Sequence, residues 1–233
     1  VTIPEQSRPR RVWLQQLLAL LQKDLLFELR SRQVTYGMLI FALLVILIFN
    51  FALELEIRTR AELTSGILWV TFIFAGSLGI NRTMALEMEN ACIDGLLLAP
   101  VSRSVIFCAK AAGNLLFMLL VALIILPVYS LLYNVPLFHP GLLLVIVLGT
   151  LGYSSIGTIL SSMSMHSRAR GLLLPILTFP LCLPIIIAAV KTGTGYLQGW
   201  PAHDIQPWLN LLIGYDVIFT TVAFMLYEYI LEE

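Results

Sequence analysis

The apolar positions fall into six long runs separated by short polar breaks, and a seventh segment before them follows a different rhythm. Residues 34–53, 63–80, 111–133, 141–163, 172–190 and 208–231 are each predominantly apolar. A helix rises about 1.5 Å per residue, so about 20 residues cover the ~30 Å hydrocarbon thickness of a bilayer. Each run is therefore predicted to be a transmembrane helix. Residues 11–32 are apolar on one face only. Leu14, Leu17, Leu18, Leu21 and Leu25 recur at spacings of three and four, with Gln15, Gln22, Lys23 and Arg30 off that stripe. Modest hydrophobicity with a stripe and basic residues predicts a helix lying in the membrane interface. A helix packed on a soluble-side core is the alternative. Glu28 and Arg32 are one turn apart and can pair weakly. The pattern as a whole predicts an all-α polytopic membrane protein, one transmembrane domain over 1–233.

Composition sharpens this picture. The 233 residues are 59% hydrophobic and 12% charged, against about a quarter charged in a soluble domain. Acidic and basic residues balance, so nothing points to nucleic acid. The placement of the basic residues carries more information. Arg8, Arg10, Arg11, Lys23, Arg30, Arg32, Arg82, Arg103, Lys110, Arg168 and Arg170 fall on one side of a six-span map, and Arg58, Arg60 and Lys191 on the other. Eleven against three predicts both termini in the cytoplasm. Residues 1–10 are polar and proline-bearing and do not read as a signal peptide. Cys92, Cys108 and Cys182 form no paired motif and are expected to be free thiols.

Several positions within the spans stand out. Gly66, Gly76 and Gly79 are candidates for close helix contact. The fourth span ends in small polar residues, among them Ser154, Ser155, Thr158, Ser161 and Ser162. Pro175, Pro180 and Pro184 in the fifth span predict a kinked or broken helix, since each removes an amide donor. Residues 191–207 read as a polar, glycine-rich loop, with Trp200 and Trp208 suited to the membrane interface. Asp216 falls eight residues into the last run, about 12 Å deep. An ionisable group at that depth is costly and is a functional candidate, with a structural hydrogen bond as the alternative.

Catalytic signatures are missing. No lysine sits in a phosphate-binding Gly-x-x-x-x-Gly-Lys-[Ser/Thr] loop, and no His-Glu-x-x-His is present. Residues 152–157 do not match Gly-x-Ser-x-Gly, so an intramembrane hydrolase finds little support. His139, His166 and His203 are scattered, and a lone loop histidine is more often solvated than a metal or haem ligand. The longest interruption between spans runs from Glu87 to Lys110, on the positively flanked side. Glu87, Glu89 and Asp94 precede Gly95, three leucines follow, and Pro100 ends the patch. It reads either as a short amphipathic surface helix that another protein can push, or as an ordinary loop.

An ordered set of short motifs resembles one family. It comprises Lys23-Asp24-Leu25 with Glu28 to Arg32, Gly66 to Val70, Phe74-Ala75-Gly76, and Asn81-Arg82. It continues through Glu87-x-Glu89-Asn90, Asp94 to Pro100 and Lys110, then Leu174-Pro175, Pro180-Leu181, Pro184 and Tyr227-Glu228. Together these resemble the permease subunit of the cytochrome c maturation transporter, the haem exporter protein B (CcmB) family of ABC-2 type permeases. Met88 stands where that family often has a basic residue. The resemblance implies a non-catalytic membrane subunit with an amino-terminal elbow helix, which here would carry Lys23, Asp24, Glu28, Arg30 and Arg32. A separate cytoplasmic ABC ATPase, in two copies, would dock on a coupling segment at 87–100 bearing Glu87, Glu89, Asp94, Gly95 and Pro100. A second integral membrane subunit would handle haem, with room for a further small membrane subunit. ATP hydrolysis would support release of a haem-loaded chaperone in a bacterial inner membrane. Haem would be a substrate, with no covalently bound cofactor and no metal site. Asp216, Pro175, Pro180 and Pro184 remain intramembrane candidates. An ABC-2 exporter for another lipid-like or drug-like substrate and a non-transporting scaffold are the alternative readings.

Overall fold

The computed structural model describes residues 10–52, 57–89, 95, 98–164 and 170–230. Seven long helices account for almost all of them: α1 Arg10–Ser31, α2 Gln33–Ala52, α3 Ile57–Glu89, α4 Arg103–Tyr133, α5 Pro140–Met163, α6 Arg170–Gln198 and α7 Ala202–Ile230. Each of α2 to α7 contains a stretch long and apolar enough to cross a bilayer. The chain is therefore an all-helical multi-pass membrane protein. Its α3 and α5 stretches are mostly buried within the bundle, whereas those of α2 and α7 are mostly exposed. The centre is thus built by α3 and α5, with α4 and α6 flanking them.

Local chemistry sets the joints. Arg32 separates α1 from α2 with a left-handed φ of 54°. Its amide still bonds the Glu28 carbonyl at 2.6 Å, so the first helix closes before the chain turns. Asn134, also left-handed at φ 52°, ends α4, and asparagine is among the few side chains that tolerate that region. Pro140 then opens α5 at its first turn, where a missing amide costs nothing. Gly199, at φ +68°, ends α6 and lets the chain re-enter a helix at Ala202.

Three expectations change. The run at 63–80 lies within a longer helix, since α3 continues to Glu89, and α4 begins at Arg103 rather than 111. At 33 residues, α3 is about 50 Å long and outruns the hydrocarbon layer. Hydropathy ends a span at its first charges, but Glu, Met, Leu and Ala are good helix formers and carry the rod onward. The supposed 191–207 loop is mostly helical; only residues 199–201 separate α6 from α7. Of the kinked or broken helix expected from the prolines of α6, the broken form is excluded, as residues 170–198 form one continuous helix. The Tyr215 hydroxyl of α7 donates to the Leu181 carbonyl between Pro180 and Pro184, tying α7 to this part of α6.

Close approach at the centre depends on missing side chains. A Cβ at Gly76 would lie 2.8 Å from both Met118 and Tyr153, and one at Gly79 would run into Met38. Gly66, by contrast, faces open space. On α5, Gly149 lies against the Trp69 indole of α3.

Candidate functional site

The residues bearing charge gather where α1 crosses the roots of α3 and α4. Lys110 of α4 is almost fully buried and points its ammonium at two carboxylates. One is Asp24 of α1, at 2.8 Å; the other is Glu87 of α3. Lys23 closes the group from the solvent side, 3.1 Å from Asp24 and 3.3 Å from Glu87. Burial pulls the Lys23 ammonium down, but Asp24 and Glu87 together outweigh it, and its pKa is raised. Its pairing thus stays intact through neutral pH and is lost only as pH rises through that elevated value. Two cations and two anions share one corner, and removing its buried cation, Lys110, costs about 3–5 kcal/mol.

The α1–α2 joint is held by a different carboxylate. Glu28 is buried and accepts from the amide of Thr35 at 2.7 Å and that of Val34 at 3.4 Å. These are orphan donors at the start of α2, and a carboxylate also suits the positive end of that helix. The weak Glu28–Arg32 pair does not form, because these amides outbid a guanidinium beyond the break. Arg32 instead reaches the Tyr36 hydroxyl at 3.1 Å and the Leu29 carbonyl at 3.5 Å. Arg30 is exposed. The leucine stripe of α1 divides: Leu17, Leu21 and Leu25 are partly buried against the core. Leu20, Asp24 and Glu28 turn inward, while Leu14 and Leu18 are more than half exposed.

Beyond this corner the chain emerges into the segment that joins α3 to α4. Glu89 is exposed and bonds Arg82 at 3.4 Å, and Arg82 also reaches Gln33 of α2 at 2.6 Å. Gly95 and Leu98 have helical backbone; Leu98 is 89% exposed, and Pro100 is exposed. Gln16 of α1 donates to the Pro100 carbonyl at 3.2 Å. Asp94 and Cys92 lie outside the described residues.

Deep in the bundle, Asp216 is 4% exposed, and neither carboxylate oxygen has a hydrogen-bond partner among the described residues. It faces Gly152 of α5 and Ile185 of α6; a Cβ at Gly152 would collide with the carboxylate. With α7 beginning at Ala202, Asp216 is about 21 Å along that helix, near the middle of its apolar stretch. One turn on, Thr220 bonds Ser155 at 3.2 Å, and Tyr227 meets Ser162 at 3.3 Å. Asn114 of α4 bonds Thr158 at 2.9 Å from the other side. Most α5 hydroxyls also return to their own helix backbone. The polar stripe of α5 is therefore largely satisfied, and Asp216 is not.

The model of the CcmB protein family matches residues 15–228. This chain belongs to the CcmB family. Proteins named "Heme exporter protein B" are similar to it along most of their length. That of Pseudomonas aeruginosa is 27% identical over 79% of this chain and 83% of its own. That of Rhodobacter capsulatus is 30% identical over 72% of this chain and 78% of its own. The Paracoccus denitrificans protein is 31% identical over 75% and 82% respectively.

In this CcmB-family chain the structure brings Lys23, Asp24 and Glu87 together and separates them from Glu89, Gly95 and Pro100, which lie on the surface. Pro180 and Pro184 lie on α6, where Pro175 also belongs to the helix backbone. Sequence reasoning left Lys110 as the end of a loop and missed its place at the centre of the charge cluster. No local signal marked it, because a lysine at the edge of an apolar run ordinarily snorkels to the interface. The facing of Gly152 and Asp216 had no sequence signal. His139 caps α5, its Nδ1 accepting from Gly141, and stacks on Tyr196. That bond occupies the Nδ1 lone pair and leaves the neutral ring's proton on Nε2. His203 is exposed beside Asp204.

Proposed function

We propose that this chain is the permease subunit of an ABC complex that handles haem in cytochrome c maturation, in a bacterial inner membrane with both termini cytoplasmic. Family membership supplies the haem connection, through relatives named for haem export. The mechanical part of the reading rests on one observation: the charge cluster joins α1, α3 and α4 at the base of the 87–100 segment. A cytoplasmic ATPase, in two copies, docks on the exposed part of that segment, at Glu89, Gly95, Leu98 and Pro100. Its push reaches α1 through Gln16 and Pro100, and reaches the membrane helices through the Glu87–Lys110 contact. Glu87 and Asp24 act as positioning residues inside the joint, and Asp94 belongs to the same docking segment. A second integral membrane subunit receives haem, and a small membrane subunit completes the assembly. Chemistry on ATP belongs to the partner; this subunit converts its motion. Asp216 and the proline-bearing α6 lie along the bundle that would move.

The test is retention of the ATPase on purification. Glu89→Lys with Leu98→Asp changes only exposed side chains. We expect about a tenfold loss of ATPase retention, equal to about 1.4 kcal/mol of docking energy, and a matching loss of holocytochrome c. Normal retention with normal yield rejects the docking surface. Orientation is tested with Cys108 and Cys182 replaced by serine, leaving Cys92 as the target. A membrane-impermeant maleimide should reach Cys92 from the cytoplasmic side; labelling from the other side reverses the map.

A further inference from the structure

A groove of about 710 Å³ runs between the α1–α2 joint and the outward face of α4. Its long wall is apolar: Leu116, Leu120 and Leu123 are 41%, 43% and 72% exposed and belong to nothing else in the chain's core. From Leu116 to Ile124 the wall extends about 12 Å along the helix. Its mouth is formed by Leu29, Arg32 and Tyr36. The level of that mouth is fixed by Val34 and Phe117, which line one neighbouring cavity. The Tyr133 hydroxyl bonds the Ile46 carbonyl at 3.0 Å farther along, so α2 and α4 run side by side in the same direction. Arg32 therefore sits at the interfacial end, and the leucines lead inward from it.

The charge at the mouth is uncompensated. Among the described residues the Arg32 guanidinium has no carboxylate partner; its bonds go to Leu29 and Tyr36. Glu28, the acidic residue in the lining, is committed to the amides of Val34 and Thr35. Of five guanidinium N–H donors, three remain for a ligand. A fixed cation at the interfacial end of an apolar channel matches a molecule with a phosphate at one end and a hydrocarbon chain at the other. We propose that this groove holds one acyl chain of an anionic phospholipid from the leaflet that bears α1, with its phosphate on Arg32. The bound lipid then wedges the elbow helix against α4 and makes the α1–α2 joint sensitive to headgroup charge. This assignment is independent of haem and of the ATPase.

The experiment uses the full protein, with whatever subunits co-purify, in nanodiscs of phosphatidylcholine. A trace of phosphatidylglycerol carries a photoreactive group in its acyl tail, and a phosphatidylcholine probe serves as the neutral control. Cross-links should concentrate on the peptide containing Leu116 to Ile124, well above those on the exposed faces of α2 and α7. Arg32→Asn keeps a residue that tolerates positive φ. It should lower phosphatidylglycerol labelling several-fold and leave phosphatidylcholine labelling in place. Leu120→Trp, on the exposed wall, should lower both. Free glycerol phosphate should not compete, which separates a lipid from a soluble phosphate. Even labelling of all apolar faces overturns the proposal. So does phosphatidylglycerol labelling that Arg32→Asn leaves unchanged, or a cross-link showing another subunit's helix in the groove.

Discussion

Replacing Lys110 with methionine takes the shared ammonium away from Asp24 and Glu87 while keeping most of the side-chain volume. With Lys23 alone remaining at the solvent side, unfolding stability should fall by about 3–5 kcal/mol. Denaturation in mild detergent would measure this. Adding Asp24→Asn and Glu87→Gln should recover most of the loss, since the stranded charges are then gone. Asp216→Asn should behave in the opposite way. It replaces a buried carboxyl that no donor among the described residues satisfies, so the melting temperature should hold or rise while holocytochrome c yield falls, a trade common at functional positions. Yield at the parental level would end the functional reading of Asp216. Both residues show how far a sequence can be read at this scale. Asp216 was visible because it interrupts an apolar run. Lys110 and Glu87 were read as the edges of a loop, because charge ordinarily marks the exit from lipid. Here it is neutralised inside the protein, and only the folded chain brings α1 across to do so.

The helices themselves were legible, their ends less so. Apolar length identified each crossing, but helix propensity carried α3, and packing of Gly193 on Ser65 and of Gly195 on Ile205 carried α6, past the point where hydropathy stopped. The prolines of α6 allowed a break that the fold does not make, because the helix continues through them from 170 to 198. Contact between helices was legible only as small residues, not as which of them matter. Gly149 and Gly66 separate the two cases. A Cβ at Gly149 would approach Cζ2 of Trp69 to 2.7 Å, whereas Gly66 has nothing within 4 Å. Gly149→Ala should cost about 1–3 kcal/mol through overpacking. Gly66→Ala should be neutral or stabilising by up to about 1 kcal/mol, the ordinary gain in helix propensity. Thermal unfolding of the two variants side by side would check the ordering, and equal melting temperatures would refute close α3–α5 packing.

At the scale of the molecule, the bundle is asymmetric. One end carries the elbow, the ion pairs and the segment toward which the proposed ATPase is directed. The other is joined by short turns at 134–139 and 199–201, where His203–Asp204 is an exposed pair. Around the core, α2 and α7 offer apolar faces to lipid or to other subunits. The full chain has 14 basic and 14 acidic residues, and the corner formed by Lys23, Asp24, Glu87 and Lys110 repeats that parity, two against two. Parity of this kind restricts how the corner can drift over generations. Inverting Asp24, Glu87 or Lys110 leaves like signs side by side where little water reaches, so a change at one of these three favours a compensating change at another.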